Sequence, residues 1–308
     1  MTKKKLSLFP YVLALGAVAL ISALVLSDPK VSTAPATPRA NTPVELTLVT
    51  QNQEAAVVSP SIEATTITTA TIATTTTTSL LSYVEIIGGC GPYYNVGACV
   101  NLRSGPGTEF PVVSRLRTGI VLRVESDKVV ALDGSPWHKI VFDKGIRYPE
   151  RIAGDWYVTA SSTLVRSVEN VGDIFSPVGT TASTSKRVVV SLSEGMLYAY
   201  DGKELFMKEP TSPGLDLTPT PRGLFTVYYK TPSRYMQGPI PGISDQEYDL
   251  PGVPWNLYFT AEGAVIHGAY WHDNFGKKWS HGCVNLSPES AKKIYEWAEI
   301  GMPVIVRD

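Results

Sequence analysis

The spacing of apolar and polar residues changes character several times along this chain. From Leu6 to Leu26 no position is charged and most are apolar. A run of roughly 20 such residues can cross a hydrocarbon layer of about 30 Å as a helix. From Asp28 to Ser82 threonine, serine, alanine and proline dominate, and ten of the 14 positions from Thr65 to Thr78 are threonine. That little apolar area does not offset the entropy of ordering a backbone, so a disordered spacer open to glycosylation is expected. Ile62, Ile67 and Ile72 leave a packed, threonine-rich β-segment as the alternative.

Beyond this region short apolar runs alternate with turns. Tyr83–Ile87, Cys99–Leu102, Val112–Leu116, Ile120–Val124, Trp137–Val141 and Trp156–Val158 are separated by glycine and proline, the pattern of a small all-β barrel over 83–170. The loop from Lys144 to Asp155 is longer than a hairpin requires. A second linker is expected at 171–185. Strand-like runs resume at Arg187–Leu192, Met196–Tyr200, Leu205–Met207, Leu224–Tyr229, Trp255–Phe259 and Ala264–Ile266, with a hairpin turn at Asp201-Gly202. The period then becomes helical. Ser287 caps, Pro288 takes the first position, and Ala291, Ile294, Tyr295 and Ala298 recur on one face. Gly301 and Pro303 end the helix and Val304–Val306 forms a last strand. The expected fold is mainly β: a small barrel, then a β-rich domain at 186–308 with one C-terminal helix, plus an N-terminal membrane-spanning helix.

Charge sharpens the N-terminal reading. Lys3, Lys4 and Lys5 precede the apolar run in residues 1–27, so the positive-inside rule keeps them cytoplasmic and sends the rest outward. A cleaved signal peptide is the rival reading. Either way the spacer at 28–82 and everything after it is expected outside the cytoplasm, at the cell membrane or envelope. The net charge of −1 supplies no basic field for nucleic acid.

The three cysteines are Cys90, Cys99 and Cys283. In an exported chain Cys90 and Cys99 are a candidate disulfide, with two buried free thiols as the alternative. Cys283 is left over, in the segment Ser280-His281-Gly282-Cys283-Val284-Asn285, with His267 16 residues earlier. A thiol becomes a strong nucleophile at neutral pH when a base stands beside it. Backbone N–H groups around a Gly-Cys step are suited to an oxyanion. The combination suggests acyl transfer through a thioester. An inert buried thiol is the bland reading, and zinc held by His267, His281 and Cys283 is the other chemical one. His272 reads as a loop residue or a substrate contact. Trp271 and Trp279 either frame a cleft or anchor the loop between them, and Asp201 and Asp249 read as solvated.

Two resemblances add to this. Val100-Asn101-Leu102-Arg103-Ser104-Gly105-Pro106-Gly107-Thr108, with Gly154-Asp155-Trp156-Tyr157-Val158, resembles a bacterial SH3-type domain. Such modules bind wall peptides or orient a catalytic neighbour. Arg103 and the aromatics then line a groove, or serve only as turn and core. Ile266-His267-Gly268, the Ser280–Asn285 segment and Thr220-Pro221-Arg222-Gly223-Leu224-Phe225 resemble the L,D-transpeptidase family, with its YkuD-like catalytic domain. The resemblance implies that Cys283 attacks a peptidoglycan stem peptide after its third residue and that His267 is the base. It implies that Gly282 and Cys283 N–H groups serve the oxyanion. Ser280, His281 and Asn285 would orient the loop or contact substrate, as would Gly268, Tyr258 and Trp271. It implies no cofactor and no metal, donor and acceptor stem peptides as partners, and carbapenem-type β-lactams as covalent inhibitors. Hydrolysis by the same acyl-enzyme (an L,D-carboxypeptidase) and a catalytically silent wall-binding protein are the alternatives.

Overall fold

The computed structural model describes residues 82–168 and 173–308. The apolar run at 6–26 and almost all of the threonine-rich segment lie outside the described residues. Among the described residues the protein is mainly β with a single α-helix near the C-terminus.

The first sheet comprises β1 (Ser82–Ile86), β2 (Val100–Arg103), β3 (Val112–Leu116), β4 (Val121–Val130), β5 (Pro136–Ile140), β6 (Tyr157–Thr159) and β7 (Val165–Val168). Every pairing is antiparallel, in the order β3-β2-β6-β5-β4-β1-β7. Alternation turns Val84, Ile86, Leu102, Leu116, Leu122 and Val158 inward to one core with Trp156. Cys90 and Cys99 are joined by a disulfide closing the loop between β1 and β2.

The segment expected as linker contains β8 (Ile174–Phe175), which pairs with Tyr229 and Lys230. Its propagation is too short to be visible as a pattern. Two five-stranded sheets follow. One is built from β9 (Lys186–Ser191), β10 (Met196–Asp201), β11 (Glu204–Pro210) and β12 (Gly223–Thr226), with a last strand described below. The other contains β8, β13 (Tyr229–Ile240), β14 (Ser244–Tyr258), β15 (Val265–Gly268) and β16 (Val284–Leu286). Helix α1 (Pro288–Trp297) and strand β17 (Pro303–Arg307) complete the chain. β17 enters the first of these sheets between β9 and β12.

The long hairpin β13–β14 is the main departure from the local pattern. Only its base reads as strand, because Pro232, Pro239, Pro251 and Pro254 interrupt the run and the register shifts twice along the pair.

The Ser287 side chain accepts from Ser290 N–H at 3.1 Å, and Pro288 occupies the first turn of α1. Such a cap stabilises by about 1 kcal/mol. Ala291, Ile294 and Tyr295 are buried. Lys230 Nζ, itself buried, donates to the carbonyl of Tyr295 at 2.7 Å and to that of Ala298, satisfying the end of the helix.

The two cores interlock. Tyr83 and Val121 of the first sheet belong to the cluster that holds Leu257, Ile266 and Ile294. Val253 and Tyr270 belong to the cluster of the first sheet. At this seam Gly252 has φ +66°, and a Cβ there would stand 2.5 Å from the Val121 carbonyl oxygen. Only glycine permits that approach. Glu85 pairs with Lys292 of α1 at 3.0 Å and with Arg166 at 2.7 Å, so the helix after the reactive loop is tied to the first sheet as well.

Candidate active site

β15 and β16 are parallel neighbours, with His267 opposite Asn285 and Ile266 opposite Val284. Parallel strands need a crossover of a dozen or more residues. That requirement sets the distance in sequence between His267 and Cys283. Cys283 stands one step before β16, so strand alternation puts it on the face shared by Val265 and His267.

The reactive loop is held by side chains from elsewhere. Ser280 Oγ donates to the Cys283 carbonyl at 2.6 Å and accepts from Gly282 N–H at 3.2 Å. Thr220 Oγ1 donates to that carbonyl at 3.4 Å and accepts from Gly214 N–H at 2.9 Å. Thr211 Oγ1 donates to the Asn285 carbonyl at 2.7 Å. Ser212 and Asn285 exchange backbone hydrogen bonds at 2.9 and 3.0 Å. Gly282 has φ +113°, a conformation that suits glycine. The Gly282 N–H is engaged by Ser280 Oγ, whereas Cys283 N–H has no partner among the described residues.

His267 is buried, and its Nδ1 lies 3.1 Å from the Gly268 carbonyl oxygen. A carbonyl only accepts, so Nδ1 carries the hydrogen and Nε2 keeps the lone pair. Burial pushes the imidazole down to about 4; the Gly268 carbonyl opposes the shift and His272 adds to it. Cys283 as a residue is partly exposed, but protein crowds its thiol. Burial pushes the thiol up to about 11, against a backbone hydrogen bond from Val265. Both groups are therefore neutral near pH 7. The thiolate is not preformed and has to be made during attack.

Gly268 cannot carry a side chain, since a Cβ would lie 2.7 Å from Pro254 Cγ. His272 is buried, and its Nδ1 accepts from Asn274 N–H at 3.2 Å. A neutral ring then donates from Nε2, which lies 3.0 Å from the Asn285 amide. Asn285 Nδ2 faces that nitrogen and its Oδ1 is buried without a partner; we assign the amide turned over, which gives the Nε2 hydrogen an oxygen acceptor in place of a second donor. His272 is thus a loop-positioning residue.

A cavity of about 1030 Å³ opens over Cys283 and His267. Trp271 lies inside with its ring centre 5.8 Å from that of His267, and Trp279, 48% exposed, stands at the mouth. Tyr258 lines the wall and its phenol is pushed well up by burial, with the Arg234 guanidinium opposing the shift. His281 turns toward Tyr248, ring centres 6.3 Å apart. No group of His, Cys, Asp or Glu among the described residues is gathered as three metal ligands.

Sequence reasoning missed Tyr248, Thr211 and Ser212. Tyr248 sits on the unrecognised hairpin; Thr211 and Ser212 act through long-range hydrogen bonds that leave no local pattern. Asp249 is exposed, as expected of a solvated carboxylate, and is also tied to its neighbours. It accepts from Gln237 at 2.8 Å and from Arg151 and Tyr235 at 3.2 Å.

The brace from Thr220 can be tested. Thr220→Val leaves the Gly214 N–H buried without a partner and is expected to cost about 1–3 kcal/mol. Denaturant unfolding should show the lower midpoint, with Thr220→Ser close to the parent. Equal midpoints for Thr220→Val and the parent would show that the brace contributes nothing.

Residues 185–306 match the family described as YkuD, the L,D-transpeptidase catalytic domain. The probable L,D-transpeptidase 3 of Mycobacterium tuberculosis is 36% identical over 103 residues, 32% of this chain and 38% of that protein. L,D-transpeptidase 1 of the same organism is 30% identical over 122 residues, 38% of this chain and 49% of that protein. The chain thus spans less than half the length of either relative. A solved L,D-transpeptidase from Mycobacterium smegmatis overlaps with a TM-score of 0.39 at 22% identity, over 75% of this chain and 100% of that one. That superposition is too loose to carry chemistry.

Proposed function

We propose, on the footing that residues 185–306 are a catalytic domain of the L,D-transpeptidase family, that this protein exchanges peptide bonds in peptidoglycan. The observation that carries the reading is the pair of buried His267 and partly exposed Cys283, held neutral on one face of adjacent parallel strands and open to one cavity. Cys283 Sγ attacks the carbonyl carbon of the third residue of a stem tetrapeptide. His267 Nε2 takes the thiol proton and delivers it to the amine of the departing D-residue as the C–N bond breaks. An acceptor amine then attacks the thioester and gives a proton to His267, which returns it to the sulfur. One peptide bond is broken and one made, with no net change in protons.

The unpaired Cys283 N–H is the donor we assign to the oxyanion, with Tyr258 as the side chain on the facing wall. Gly282 and Ser280 hold the loop's shape, His281 and Trp271 line the path of the peptide, and Asn285 is fixed by His272. A carbapenem, whose strained amide resembles the acyl donor, is expected to acylate the same sulfur. We read the first sheet as an SH3-type module, on the strength of its N-L-R-S-G-P-G-T run. We place the catalytic domain outside the cytoplasm, tethered through the N-terminal apolar run.

Mass spectrometry after incubation with defined disaccharide-tetrapeptides tests the function. The expected product is a dimer lacking one terminal D-residue. Tripeptide without dimer would make the enzyme a carboxypeptidase, and unchanged substrate would sink the reading.

A further inference from the structure

The loop from Lys144 to Asp155, too long for a hairpin, docks on the roof of the cavity. Tyr148 N–H donates to Gln237 Oε1 at 2.8 Å and Tyr148 Oη to the Pro239 carbonyl at 2.7 Å. Arg151 donates to the Gly238 carbonyl at 2.7 Å and pairs with Asp249 at 3.2 Å. Asp143 accepts from Tyr235 N–H at 2.7 Å. These bonds clamp the loop to β13 and β14 and carry Arg147 to the cavity wall. On another part of that wall the first domain supplies Arg117, whose guanidinium lies 4.0 Å from the Tyr94 ring centre and 5.6 Å from that of Tyr270.

The charge of this cavity is unlike that of the chain. Its lining holds Arg117, Arg147 and Arg234 against Glu262 as the one carboxylate, although the whole sequence carries −1. Arg234 faces Asp143 at 3.8 Å. Neither Arg117 nor Arg147 has a carboxylate partner among the described residues, and Arg117 Nε is buried with no hydrogen bond. Arg147 is exposed and Arg117 half-buried on the wall of this open cavity, and an unpaired guanidinium there is a ready partner for a carboxylate, which it binds in a fork geometry.

We propose that Arg147, with Arg117 adding charge, binds a carboxylate on the substrate peptide, so that the first domain selects which stem peptides enter. The ligand class is a peptide whose third residue ends in a free carboxylate, as 2,6-diaminopimelate does, in preference to its carboxamide or to lysine. This rests on the stem-peptide reading above. It makes the first domain part of the substrate site.

Two matched tetrapeptides, one with the third-residue carboxylate free and one with it as carboxamide, test this on the full chain. Calorimetric titration of Cys283→Ala is expected to show the free acid binding about tenfold tighter, the scale of one charge-assisted hydrogen bond. Arg147→Gln in that background should abolish the preference, and Arg147→Lys should restore part of it. Arg117→Gln should reduce it, and the preference should shrink as salt is raised. Equal affinities for the two peptides, binding of neither, or a preference that survives the double Arg147→Gln, Arg117→Gln variant would overturn the proposal. Turnover by the wild-type protein separates the two claims. Selective binding without turnover leaves the carboxylate site standing and removes the transpeptidase reading. Turnover with no selectivity does the reverse.

Discussion

Cys283→Ala is expected to lose all covalent adduct with a carbapenem and all dimer formation from tetrapeptides. Cys283 is the one free cysteine, because Cys90 and Cys99 are bonded to each other. No other thiol can therefore stand in. The side chain is small and the residue is partly exposed, so truncation to alanine removes the sulfur with little loss of packing. Intact-protein mass spectrometry should find the parent shifted by one inhibitor mass and the variant unshifted, with circular dichroism unchanged. An adduct that persists on the alanine variant would place the nucleophile elsewhere.

The second large effect concerns His267. With the thiol pushed up to about 11, almost none is ionised at neutral pH, so attack depends on a base that takes the proton in the same step. His267→Ala is expected to slow acylation by about 10²–10⁴-fold, the range for a positioned general base. His281→Ala should cost less, since His281 only lines the cavity beside Tyr248. The pH profile carries a further signature. Because burial lowers His267 to about 4, the imidazole stays neutral, and a competent base, well below the ordinary histidine range. The wild-type acylation rate should pass through pH 6.5 without a break and fall only as pH approaches 4. Stability should respond differently. His267 and His272 are both lowered to about 4, so between about 6.5 and 4 the unfolded chain binds protons that the folded one does not. Folding free energy should therefore decline on acidification through that window. A break in the acylation rate near 6.5, or a wild-type rate in the His267 variant, would contradict the assignment of the base.

Much of this protein can be read from short stretches. Six of the seven strands of the first sheet, all but β7, and the helix after Ser287 follow from alternation, punctuation and a cap, each decided within a few residues. The chemistry was legible for the same reason: a histidine and a cysteine, the glycine before the cysteine, and a crossover's length between them lie in one continuous segment. The hairpin β13–β14 was not legible, because its prolines and bulges break the period that marks a strand. Its pairing is made by two long arms finding each other. Tyr248, carried on it, was hidden with it.

Local sequence determined which groups are available to react: a cysteine, a histidine 16 residues before it and, next to the cysteine, a glycine that can adopt φ +113°. Tertiary structure alone decided their state. Burial is a sum over atoms brought from distant parts of the chain, so only the folded arrangement moves the thiol up and the imidazole down. The same holds for the donors. Ser280 Oγ occupies the Gly282 N–H and leaves that of Cys283 open, and Thr220, 63 residues away, braces the Cys283 carbonyl. The long loop from Lys144 to Asp155 reads as surplus length in sequence. It acquires a role only where Tyr148 and Arg151 meet the hairpin, because hydrogen bonds of such separation are set by packing and not by pattern.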